Sequence, residues 1–204
     1  MKNVFKLSTL LLVFFIFGQV ACNKGTDPAP EPEKPDPTGK WALKSAKLVE
    51  PDPLVITNFT TDGQNFMTLE IPAGDTQNTT MLVGGALAGA ACQDPNNYAQ
   101  FHLELTSAGR LLFNCPPENV SEDSGSWSVI KDADGNYTII NLSVNVGDSG
   151  IPVQITVENF QMAADGKSFT GTAKGYPMVK DFITPIGPDN IQFLTSDLEF
   201  VAVQ

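Results

Sequence analysis

Few residues in this chain are of types that do covalent chemistry. Residues 147–152 read GDSGIP, a serine between an aspartate and a glycine. A serine nucleophile needs an imidazole base and an acid to orient it. His102 is the chain's only histidine, and many acids lie between it and Ser149. It sits beside Glu104 in AQFHLELT, on the polar face of an alternating run, where a solvent-facing residue is expected. Gly147, Asp148, Ser149 and Gly150 are all turn formers, and they separate two alternating runs by the length of a hairpin loop. The turn is preferred. No catalytic residue is assigned, the chain is read as non-enzymatic, and a serine hydrolase using Ser149 ranks a distant third among its functions.

Ligand sets for metals are similarly thin. KDADGNY, residues 131–137, alternates Asp132, Asp134 and Asn136 in the manner of half a calcium loop. A calcium ion takes six or more oxygens, and no terminal glutamate completes the set, so a hairpin turn is expected there. Asp94, Asn96 and Asn97 form a second polar cluster, expected as a loop with side-chain-to-backbone bonds. No metal and no cofactor is assigned. Of three cysteines, Cys22 belongs to the N-terminal leader described next, which leaves Cys92 and Cys115. In an oxidising compartment such a pair is expected to form a disulfide that contributes roughly 3 kcal/mol by restricting the unfolded chain.

The leader gives the compartment. Lys2 and Lys6 precede an apolar run from about Leu7 to Phe17, and small residues lead into Cys22. The run is shorter than the roughly 20 residues that span a bilayer. Residues 1–21 therefore read as a secretory signal peptide. Gln19-Val20-Ala21-Cys22 resembles a lipobox, which implies cleavage before Cys22 and lipidation of that cysteine, with palmitate among its acyl chains. Gln19 stands where leucine is usual, a looseness common in lipoproteins of Bacteroidetes. Asn23 rather than aspartate follows the cysteine, which by the same resemblance implies the outer membrane. Residues 22–38 then form a lipidated cysteine and a linker. Five prolines and no large apolar residue in 23–38 cannot make a core, and an extended chain of that length reaches ~50 Å.

Charge excludes one class of partner. The chain has 23 acidic against 12 basic side chains, two of the latter inside the leader, and Arg110 is its only arginine. Nucleic acids and anionic lipid surfaces both need clustered lysine and arginine, so neither is expected. The acidity suits an exposed envelope protein that stays in solution at the end of its tether.

The elements that would position any site are strands. Phe101, Leu103 and Leu105 share one face of their run; Ile140, Leu142, Val144 and Val146 share another; Ile151, Val153, Ile155 and Val157 a third. Alternation of this kind marks half-buried antiparallel strands. Turn signals fall at Asp62-Gly63, Ser107-Ala108-Gly109, Asp134-Gly135 and Asp165-Gly166. Short strands joined by regular turns predict an up-and-down barrel or a sandwich. One stretch lacks alternation: MLVGGALAGAAC, residues 81–92, reads as a short helix packed across a barrel end, a buried strand, or a greasy surface loop.

Gly39-Lys40-Trp41 resembles the G-x-W that opens the first strand of lipocalin-like domains. Cys92-Gln93-Asp94, Phe101, SAGRLLF, Cys115 and then Gly125-Ser126-Trp127 follow an order similar to that of lipocalin-like lipoproteins of Bacteroidetes. The resemblance implies a calycin-type antiparallel barrel over residues 39–204, of about 8–10 strands with one short helix at most. It also implies structural roles at the barrel end for Gly39, Trp41 and Trp127, the tryptophans being core plugs rather than ligand stackers. The arginine that packs on the first-strand tryptophan in lipocalins has no counterpart in Arg110, which lies mid-chain. The function expected is that of an outer-membrane, lipid-anchored envelope protein whose barrel binds a small apolar ligand. The alternative is a solid-cored module that meets a protein or glycan partner through its loops.

Overall fold

The computed structural model describes residues 34–60, 63–146, 151–185 and 187–203. Cys22, the leader and residues 147–150 lie outside the described residues. The alternating runs become the strands β1 (Gly39–Glu50), β4 (His102–Leu105), β5 (Arg110–Cys115), β6 (Val120–Lys131), β7 (Tyr137–Val146), β8 (Ile151–Met162), β9 (Ser168–Val179) and β10 (Ile191–Ala202). They pair antiparallel in the order β1-β10-β9-β8-β7-β6-β5-β4, and β4 returns to β1 to close an eight-stranded barrel. Closure is narrow, through Gly39↔Leu105, Lys40↔Glu104 and Trp41↔Leu103. The inward face of the alternation lines the lumen, where Leu105, Leu111, Ile140 and Phe200 are buried.

Trp41 plugs one end. It is 2 % exposed, and its Nε1 donates to the Pro37 carbonyl at 2.8 Å. Its ring meets Phe169 edge-on at 4.8 Å, and Phe169 stacks on Phe200 at 5.0 Å. Burying one such side chain contributes on the order of 3 kcal/mol. Residues 34–38, the last of the segment expected as linker, run across this closed end. Lys34 donates to the Asp134 carbonyl, and the Tyr137 hydroxyl donates to Asp36 at 3.1 Å. Trp127 is only partly buried; it packs against the core from β6 and donates its Nε1 to the Thr106 carbonyl at 2.9 Å.

Two strands lie outside the barrel. β2 (Leu54–Phe59) and β3 (Met67–Ile71) form a separate hairpin inserted between β1 and β4. Leu54, Ile56 and Ile71 are fully buried in its attachment. Thr57 exchanges backbone bonds with Lys180 and Phe182, and the Gln192 side chain donates to the Val55 carbonyl at 2.9 Å. The small apolar stretch becomes helix α1 (Gln77–Gly89), the packed alternative of the three.

Candidate binding site at the open end of the barrel

Helix α1 covers the end opposite Trp41, and both of its ends are fixed to the barrel. At its start, Asp75 accepts from the backbone amides of Asn78 at 2.8 Å and Thr79 at 3.3 Å, satisfying donors a helix N-terminus leaves free. The Asp75 carbonyl takes the Leu48 amide at 3.0 Å, and Thr80 Oγ1 takes the Ala46 amide at 2.9 Å, tying this end to β1. Gly89 lets the end of the helix close on its neighbour, since a Cβ there would crowd the Tyr98 hydroxyl at 3.0 Å. Midway, Val83 is buried and its carbonyl accepts from the Tyr176 hydroxyl of β9 at 3.5 Å. Burial pushes that hydroxyl's pKa up, so it stays a donor.

Past its last turn, the chain is stapled to β5 by the expected Cys92–Cys115 disulfide. Glu118 braces the same corner, accepting from the amides of Gln93 at 2.8 Å and Asp94 at 3.0 Å and from Asn97 Nδ2 at 2.8 Å. These bonds hold its carboxyl below the usual range, the Asn97 bond foremost. Cys92, Cys115 and Glu118 lie close enough together to suggest a metal set, but both sulfurs are committed to the disulfide.

Pinned to β1 at one end and β5 at the other, α1 leaves the β6–β9 side of the mouth uncovered. A cavity of about 530 Å³ opens there. Its floor is Leu87, Phe113, Val144, Ile155 and Tyr176, which also bound a smaller void of about 50 Å³ deeper in the lumen. Glu122, Ser124 and Asn145 supply polar groups at the rim. Glu122 pairs across the ladder with Phe113, so both project to the same face of the sheet. Asp123 also lines the mouth, but its carboxylate is paired with Arg110. A register shift between Leu111 and Leu112 sets this arrangement, and Gly125 absorbs it with a φ of 144°.

His102 departs from expectation. Its strand face is the outward one shared with Glu104, but it is only 5 % exposed. It lies opposite Asn114, whose Nδ2 is buried without a hydrogen-bond partner. Burial lowers the imidazole pKa, and Lys40 acts in the same direction against the Gln100 backbone and Glu104. Alternation gave the face correctly, but it does not report what covers that face. β7 and β8 are paired up to Val146↔Ile151, the residues on either side of 147–150. β8 stands four strands from β4 in either direction round the barrel, so the structure does not bring His102 to the strand that follows residues 147–150. Asp132 spends its carboxylate inside its own turn, on the amides of Asp134 and Asn136 and on Asn136 Nδ2. Asp94 does likewise with the Asn96 amide.

The rim residues Glu122, Ser124 and Asn145 and the floor residue Tyr176 were not singled out from sequence. Their one signal is VSEDSGS, residues 120–126, a strand segment without apolar alternation, as suits a lip that leaves the core. Comparison with family models, curated proteins and solved structures gave no match, so the fold and the site rest on geometry.

Proposed function

We propose that the barrel is a non-catalytic binding module for a small apolar molecule held at its open mouth. The observation that carries this reading is the cavity of about 530 Å³ over an apolar floor. That volume lies within the range of small-molecule sites, and a few polar groups at an apolar pocket's edge are the usual means of orienting a ligand. With only about 50 Å³ free deeper in the lumen, the ligand sits in the mouth rather than along the barrel axis. The test is fluorescence of a neutral naphthylamine dye, which brightens in apolar surroundings. The expected result is saturable enhancement that Ala86→Trp abolishes, since Ala86 is exposed on the mouth's edge. No enhancement with the folded protein would sink this reading.

A second reading, a solid-cored module for a protein or glycan partner, draws on a separate surface. Phe66, Met67, Phe182 and Ile183 are exposed around the β2–β3 hairpin, and Phe59 meets Phe182 edge-on at 5.2 Å. Such patches on a monomer often mark contacts. In either case the reading includes a lipid anchor on Cys22 in the outer membrane. Cys22→Ala is expected to move the protein from the membrane fraction to the soluble one.

A further inference from the structure

We infer that the ligand of the open mouth is a compact amphiphile with a cationic head, and that Glu122 receives that head. The inference rests on the binding reading above and adds the chemistry of the ligand. Glu122 projects over the floor because its cross-strand partner is Phe113, a lumen residue. Its carboxylate has no ion-pair or hydrogen-bond partner among the described residues, whereas its neighbour Asp123 is paired with Arg110. The described residues lining the mouth include no lysine, arginine or histidine, and Ser124 and Asn145 are neutral. The chain as a whole carries a formal charge of −11.

An anionic head, such as a carboxylate or sulfonate, would enter this mouth beside an unneutralised carboxylate and against the field of the whole protein. An ammonium head meets the opposite situation. Its apolar portion covers Leu87, Val144 and Ile155 while the head meets the exposed Glu122 carboxylate at the rim, in an attraction that added salt screens. The void beneath the floor adds a limit on size, at only about 50 Å³. Short or compact apolar bodies fit the mouth, and long chains do not thread the barrel.

Decylammonium, decanol and decanoate differ in head alone. Titrated calorimetrically into the folded domain below their micelle thresholds, they are expected to rank amine, alcohol, acid. At least a tenfold gap is expected between amine and acid at low salt, shrinking as salt is added. Glu122→Gln is expected to remove most of the amine's advantage while leaving decanol unchanged, with an unaltered circular dichroism spectrum. Decanoate binding as tightly as the amine, or an amine advantage that survives Glu122→Gln, overturns the cationic head and leaves the cavity standing. Failure of all three compounds and of the naphthylamine dye overturns the cavity itself, and the head with it.

Discussion

At the scale of single residues, backbone geometry at Gly125 gives the sharpest expectation. With a φ of 144°, a Cβ there would lie 1.9 Å from the Ser143 carbonyl oxygen. Gly125→Ala must therefore move β6 relative to β7, at a cost on the order of 3 kcal/mol in urea unfolding. Gly135 also has a positive φ, of 77°, but nothing stands within 4 Å of its Cβ position. Gly135→Ala is expected to cost only about 1 kcal/mol, and equal losses at both positions would refute the steric account. His102 gives a pH dependence. Burial holds its folded pKa below the ordinary 6.5, so the unfolded chain takes up a proton before the folded one does. Its contribution to stability is complete above about pH 6.5 and declines as the pH falls through and below that value. Urea midpoints measured from pH 7.5 to 5 should slope downward, and His102→Gln should flatten part of that slope; an unchanged slope in the variant removes His102 as the cause.

At the scale of elements, the strands were legible and the helix was not. Leu103 and Leu105, or Ile155 and Val157, declare a buried face because the side-chain period of a strand is two. Helix α1 offers no such stripe. Leu82, Val83 and Ala88 are buried, while Met81 is exposed and a close contact falls at Gly89, so the sequence favoured a packed segment over a surface loop without choosing helix from strand. Its place was decided by attachments that lie far off in the chain, Thr80 to Ala46 and Cys92 to Cys115. The disulfide should accordingly matter for the mouth as well as for stability. The Cys92→Ser, Cys115→Ser double variant is expected to lose about 3 kcal/mol in urea unfolding. It should also loosen protection of the amides in residues 86–92 to hydrogen exchange, more than in β7 or β8. Uniform loss of protection across the barrel would mean that the staple does not act locally on the helix end.

At the scale of the whole molecule, the sequence contained the barrel but not its mouth. Regular strands and turns left barrel and sandwich open, and only the lipocalin-like resemblance pointed to closure; the position of Glu122 was not foreseeable, because it depends on the register of β6 against β5 and on the shift beside Gly125. The β2–β3 hairpin was hidden for a related reason, since its alternation is that of any strand and only its partners, Lys180 and Gln192, place it outside the barrel. Contacts distant in sequence also decide the role of the segment where the chain enters the fold. Residues 34–38 resemble the proline-rich segment before them in composition, yet the Pro37 carbonyl accepts from the buried Trp41 Nε1, and Asp36 accepts from Tyr137. A chain starting at Lys34 should therefore unfold at the same urea concentration as one starting at Cys22. A chain starting at Gly39 strands a buried indole N–H, which costs roughly 1–3 kcal/mol. Trp41→Phe in the chain from Lys34 separates the two contributions, because it removes the donor and the need for its acceptor together. The Gly39 truncation should then cost distinctly less in the Trp41→Phe background than in the native one. If it costs the same in both, the segment acts by covering the aromatic plug rather than by bonding to it.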